Sequence, residues 1–325
     1  MSIPDYKQNS NLSSILNKHS ARKMLNIRLY ELYKYANSKG RLISDSRLEQ
    51  LEQCGDILEF ATDGINTKLV RGNFCHVRLC PICCYRRSLK LFAQMSQMLD
   101  RIEDDDADGR IRWIFLTLTV RNVTGRNLKT AIDDMIKSFN RMFTSGRNTQ
   151  FNKKLTATLL GYMRAIEVTY NAKKDTYHPH IHVLMAVDKS YFNDSAKYLK
   201  KSEYAQMWAE SLKIDYSPIV DIRPVTGGKK AICETAKYPT KLDDVLEVRD
   251  IDIASNAVRT LHTALHRRHL VVFGGLLKTV RKELKQQDIE KTNLNDGISA
   301  FSPNSKISEI CYRWNYRIGA YITNN

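Results

Sequence analysis

The stretch "TYHPHIHVLM", Thr176 to Met185, decides how this chain is read, because it sets His178, His180 and His182 at every second position. Only 8 histidines occur in 325 residues, so three within five positions need a reason. In an extended strand alternate side chains share a face, at roughly 3.4 Å per residue. The three imidazoles then point one way, and Ile181 and Val183 fill the opposite, core-facing side. Imidazoles about 7 Å apart along a strand can converge on one metal ion. Surface or hydrogen-bonded histidines are the alternative, and the period of two favours the metal.

Working outward, "YMRAIEVTY" (Tyr162 to Tyr170) reads as the preceding strand, joined through the lysine-rich turn "NAKKDT" as a hairpin. Ile166 and Val168 flank Glu167, which therefore points to the other face and can sit beside the histidines. Glu167 is either a third metal ligand or an exposed carboxylate paired with a lysine, and alternation alone leaves both open. Two His and one carboxylate leave free coordination positions, a donor set suited to Lewis-acid work on a phosphate. Upstream, "WIFLTLTV" turns Ile114, Leu116, Leu118 and Val120 one way and Phe115, Thr117 and Thr119 the other.

"NLKTAIDDMIKSFNRMF", "SAKYLKKSEYAQMWAESLKI" and "KKAICETAKY" carry helical patterns, and "PIVDIRPV" is a further strand. The order β-α-β-β-α-β-α predicts an α+β fold, an antiparallel sheet with helices on one face. Residues 1–105 are expected to form a basic, helical and cysteine-rich region, 106–250 the sheet domain, and 251–325 a helical basic extension. The acidic run "EDDDADG", Glu103 to Gly109, predicts a solvated loop at the first junction.

Lys and Arg number 51 against 35 Asp and Glu, a net charge of +16 that points to a polyanionic partner, nucleic acid above all. No apolar segment follows "MSIPDYKQNS", and the longest apolar run, "LVVFGGLL", is too short to span a bilayer, so no membrane role and a cytoplasmic location are expected. In such a setting the 7 cysteines read as metal ligands or free thiols. The element Cys80-Pro-Ile-Cys83, with Cys75 and Cys54 upstream, suggests a structural Zn²⁺ site. Cys84 or His76 could substitute, and buried reduced thiols are the other reading. Arg86 and Arg87 follow in "YRRSLK", a cluster suited to phosphate contacts. "VTGGKKA" lacks the phosphate-loop pattern of a nucleotide-driven motor, so strand separation falls to another protein.

"CETAKYPTK" sets Glu234 and Tyr238 four apart, on one helical face, with Lys237 and Lys241 flanking the tyrosine. Pro239 disfavours helix at Tyr238 and places it at a helix end. A phenol with pKa about 10 becomes a nucleophile when activated. Alone, the pattern favours an ordinary partly buried tyrosine on an amphipathic helix, since the chain has 16 tyrosines.

Taken together, these residues resemble the rolling-circle replication initiators of bacterial plasmids. That group lies in the histidine–hydrophobe–histidine superfamily of single-strand nicking enzymes, here its single-tyrosine class with an N-terminal cysteine segment. "FLTLTVRN" is similar to the family's first motif, "HPHIHVLM" to its metal-binding motif and "CETAKYPTK" to its tyrosine motif. "FCHVRLCPICCYRRSLK" and "VVFGGLLKTVRKEL" resemble its cysteine segment and a C-terminal feature, so the match runs from Cys54 to Glu283.

The resemblance implies a ferredoxin- or RRM-like sheet and a specific chemistry. Tyr238 would attack a phosphodiester of single-stranded or extruded origin DNA, leaving a 5′-phosphotyrosyl link and a 3′-OH primer. His180 and His182 would hold Mg²⁺ or Mn²⁺, with Glu167 as inferred third ligand and His178 either a ligand or a partner behind the ligands. Glu234 would activate water for termination, while Lys237, Lys241, Arg86 and Arg87 contact DNA. A host helicase and polymerase would be partners in a bacterial cytoplasm, with oligomerisation left open. Two further readings are a single-tyrosine transposase of the same superfamily and a zinc-stabilised DNA-binding regulator without catalysis.

Overall fold

The computed structural model describes residues 10–63, 67–143, 150–235, 242–291 and 307–323. In chain order the elements are α1 (Ser10–Ser38), α2 (Asp45–Glu52), β1 (Ile57–Thr62), β2 (Thr67–Gly72), α3 (Pro81–Asp105), β3 (Ile111–Thr119) and α4 (Gly125–Phe143). There follow α5 (Gln150–Thr158), β4 (Leu159–Asn171), β5 (Thr176–Asp188), α6 (Ser190–Asn193), α7 (Lys201–Leu212), β6 (Val220–Pro224) and α8 (Gly228–Thr235). The last are α9 (Asp243–Leu246), α10 (Ile251–Leu265), β7 (Val271–Gly274), α11 (Gly275–Lys291), β8 (Ser308–Asn315) and β9 (Ala320–Thr323). They divide into two compact units, residues 86–287 and residues 1–85 with 288–325.

The larger unit is built on a five-stranded sheet of order β6-β3-β5-β4-β7, antiparallel throughout. The run β3-α4-β4-β5-α7-β6 gives the split β-α-β order of ferredoxin-like folds, as the α+β reading expected. Strand β7 is an addition at the β4 edge. Its approach explains "FGG": a Cβ on Gly274 would strike the Tyr162 ring, and one on Gly275 (φ +55°) the Leu160 carbonyl.

Helices cover both faces, not one as the sequence suggested. On one side Phe139 of α4 meets Tyr162 edge-on at 5.3 Å, and the fully buried Trp208 of α7 donates its indole N–H to the Thr119 carbonyl at 2.8 Å. On the other, Met163, Ala165, Leu184, Ala186 and Phe273 pack against Leu91, Met95, Met98, Leu99 and Ile102 of α3, Ile232 of α8 and Leu277 of α11. The reason lies in β4 and β5 themselves: below Glu167 and His182, this face turns apolar. Burying side chains such as Leu184 or Phe273 is worth about 1.5–3 kcal/mol each, which a bare face would forfeit.

In the smaller unit a four-stranded antiparallel sheet has the order β2-β1-β8-β9. Leu58, Phe60, Trp314 and Tyr321 form its core, with Leu12, Ile15, Leu16 and Ile27 of α1 packed against it. The strands β1 and β2 lie where only helices were expected. Helices α10 and α11 occupy the C-terminal stretch as anticipated, but β8 and β9 follow them and return to pair beside β1. The units therefore divide elsewhere than at 105 and 250. Nor does the acidic run mark a junction, since it lies inside the larger unit. Its first part ends α3, and the Asp106 carboxylate accepts the backbone N–H groups of Arg110 (2.8 Å) and Ile111 (2.9 Å) at the entry to β3.

Candidate active site

The β4–β5 hairpin sets Glu167 directly opposite His180, Ala165 opposite His182 and Thr169 opposite His178. On the other flank of β5, Thr117 faces His182 and Thr119 faces His180. Because directly paired residues share a face, Glu167, the three histidines and both threonines stand on one side of the sheet. The Glu167 Oε2 atom lies 2.8 Å from His182 Nε2 and 3.3 Å from His180 Nε2. Donor atoms of these three residues all fall within 4.8 Å of one another, and their side chains are 11–23% exposed.

Each ligand-type nitrogen is set by what its ring partner does. His180 Nδ1 is 3.1 Å from the His178 carbonyl oxygen, which fixes Nδ1–H as donor and leaves Nε2 its lone pair. His182 Nδ1 is 3.1 Å from Thr117 Oγ1, and the His182 ring stacks on Phe115 with centroids 5.4 Å apart at 14°. Tied-back Nδ1 atoms and convergent Nε2 atoms are the arrangement metal-ligating histidines show. Burial pushes the Glu167 carboxyl up, but the His180 and His182 imidazoles beside it outweigh burial and hold it well below the usual carboxylate range. A carboxylate anion with two imidazoles and open sides suits a divalent cation. His178 stands apart from this set: its ring hydrogen bonds to the Val120 backbone, and burial and the neighbouring His180 push its pKa down.

In the smaller unit Cys54, Cys75, Cys80 and Cys83 come together, all buried. Their Sγ–Sγ separations include 3.5 Å (Cys80–Cys54), 3.7 Å (Cys54–Cys83) and 3.8 Å (Cys75–Cys83). Thiolates about 2.3 Å from a tetrahedral zinc stand about 3.8 Å apart. Backbone N–H groups of Cys75 and Val77 and the Asn26 amide point at three of the sulfurs, at 3.4–3.5 Å. Hydrogen bonds from the other three cysteines hold the Cys83 thiol far below its ordinary pKa, while burial pushes Cys80 up. Fully buried Lys23 adds a cation nearby, bonded to the carbonyls of Glu52 (2.8 Å) and Cys54 (3.1 Å) and paired with Asp56 at 2.6 Å. Cys84 is excluded from the set: its thiol turns to the Arg78 carbonyl at 3.1 Å. The donor set fits a closed metal site.

Tyr238, Lys237 and Lys241 lie outside the described residues. Glu234 falls in the last turn of α8, with its side chain also outside them. Arg86 and Arg87 are half-buried on α3.

A family model described as a replication protein (Rep_1) matches residues 66–322. The chain belongs to this family. Among its relatives is a "Protein rep" of Streptococcus pneumoniae, 38% identical over 314 residues, covering 94% of this chain and 91% of the relative. Another, from Bacillus amyloliquefaciens, is 39% identical over 269 residues and 76% of each chain. A Staphylococcus aureus "Replication protein" is 38% identical over 192 residues, 57% of this chain and 78% of the relative. No solved structure matches. Membership in the replication-protein family agrees with the resemblance to plasmid initiators read from the motifs, and among the described residues no helix is long and apolar enough to cross a membrane.

Several residues that shape this replication protein's two clusters were not singled out from sequence. Thr117 and Phe115 were placed on the correct face by alternation, but nothing marked them as holding His182. Lys23 and Asn26 gave no signal at all, because apart from their bond to each other the partners named here lie 25 residues or more away.

Proposed function

We propose that this replication protein starts rolling-circle replication of a plasmid by nicking one strand of its origin through Tyr238. The observation that carries the reading is the convergence of His180 Nε2, His182 Nε2 and Glu167 Oε2, with both Nδ1 atoms tied back. Glu167, His180 and His182 would hold Mg²⁺ or Mn²⁺, which supplies Lewis-acid polarisation of a phosphate.

The chain's own residues carry the covalent steps. Tyr238 gives its phenolic proton to solvent, its oxygen bonds to the scissile phosphorus, and the P–O3′ bond breaks. The departing 3′ oxygen takes up a proton and becomes the primer end for a host polymerase. Lys237 and Lys241 favour the phenolate by their charge. The phosphotyrosyl ester conserves the energy of the cleaved bond for rejoining. At termination Glu234 accepts a proton from water as that water bonds to phosphorus, and the phenol leaves reprotonated. The four cysteines would hold Zn²⁺ as a fold-stabilising ion, and a host helicase would open the duplex.

Incubation of the protein with a labelled origin oligonucleotide and Mn²⁺, followed by a denaturing gel, tests this. Wild type should give cleavage and a covalent adduct, and Tyr238→Phe neither. An active Tyr238→Phe protein would sink the nucleophile assignment. Glu234→Ala should still cleave while adduct accumulates; adduct that falls in step with cleavage removes the water-activating role.

A further inference from the structure

We infer that Arg223, seated on Phe115 at the rim of the histidine face, binds a phosphodiester of the substrate strand beside the one that is cut. Placement beside a cut phosphate rests on the nicking reading above; the phosphate subsite itself does not. Arg223 pairs directly with Phe115 across β6 and β3, so both project from the face that carries Thr117 and the histidines. The guanidinium carbon stands 5.3 Å from the Phe115 ring centroid, and the same ring lies nearly parallel to the His182 imidazole. Guanidinium, phenyl and imidazole thus form one row that ends at the candidate metal ligand.

Cation–π attraction to a ring holds the guanidinium beside it but uses none of its five N–H donors. Arg223 is exposed, and among the described residues no carboxylate is paired with it. A pre-oriented planar fork with unspent donors is suited to phosphate oxygens. The same device recurs at the end of β3, where the Arg121 guanidinium lies 3.9 Å over the Tyr216 ring. Asp221, exposed and opposite Thr117, is the acidic group on this rim. Its charge repels a phosphate, which directs the strand past Arg223 rather than along the whole of β6.

The test is binding of a labelled single-stranded origin oligonucleotide without added Mg²⁺ or Mn²⁺, with KCl varied. Each phosphate neutralised on a single strand contributes about 0.7 to the slope of log affinity against log salt. Arg223→Gln should lower that slope by about 0.7, while Arg223→Lys and Lys137→Gln, the latter on exposed α4 surface, leave it unchanged. A methylphosphonate scan should then find one phosphate whose neutralisation weakens wild type but not Arg223→Gln. An unchanged slope for Arg223→Gln, or no such phosphate, overturns the subsite and leaves the nicking reading intact. A shifted slope in a wild-type protein that neither cleaves nor forms adduct keeps the subsite and removes its place beside a cut phosphate. Wild type without salt-dependent affinity for the strand overturns both.

Discussion

The cysteine cluster and the Glu167–His180–His182 group each gather donors within bonding reach of one ion, yet they are built in opposite ways. The cysteines come from the turn after α2, the loop leading to α3 and the first turn of α3, and each is at most 4% exposed. Their sulfurs also collect N–H groups from the backbone and from Asn26. The histidines and the glutamate stand on two neighbouring strands of one sheet, with side chains up to 23% exposed. Donors recruited from scattered segments and sealed from water make a clamp on the fold. Those aligned on a rigid sheet and left open keep positions for a substrate.

The largest expected effect follows from the clamp. Cys80→Ser should abolish bound zinc and unfold the smaller unit, since structural zinc is worth about 10–16 kcal/mol in small finger peptides. Elemental analysis with thermal melting checks it, and a wild-type melt for Cys80→Ser would erase the contrast. Next comes the open set: Glu167→Gln should cut Mn²⁺ affinity and cleavage at least about a hundredfold while Tm stays near wild type. A collapse in Tm would mean that this cluster, too, is a clamp. Thr117→Val should weaken Mn²⁺ binding about tenfold and free the His182 tautomer in ¹⁵N spectra, with Thr117→Ser close to wild type.

The smallest effect is acid sensitivity of the larger unit away from both clusters. Burial first, then the neighbouring His266, lowers His262 to about 4. A histidine depressed in the folded state takes up its proton first in the unfolded chain. The stability it contributes is thus present above about pH 6.5 and is lost as pH falls through the folded value of about 4. His262→Gln should flatten the fall in Tm across that window. An unaltered acid slope would assign the sensitivity to other groups.

What was legible in the sequence was local. Alternation placed the histidines on one face, and the short turn between Asn171 and Thr176 fixed Glu167 against His180, because hairpin register follows from loop length. The four-residue β7 was hidden inside an apolar run that fits helix as well as strand. The β1–β2 hairpin announced itself through Asp63-Gly64 between alternating residues, a turn signal that the cysteines overshadowed. Lys23 was out of reach, since a fully buried lysine contradicts its own polarity until its distant carbonyl partners are known. The nucleophile Tyr238 rests on sequence alone, for it lies outside the described residues.

The pairing of β1 with β8 joins residues 57–62 to residues 308–313. Every strand of the larger sheet, by contrast, falls between 111 and 274. A ribosome therefore completes the larger sheet while β1 still presents a bare edge, and all four clustered cysteines are made before that edge is closed. Contacts of such sequence separation form slowly. The order of synthesis makes the cysteine unit the last to finish folding, and the one most exposed to mispairing while it waits.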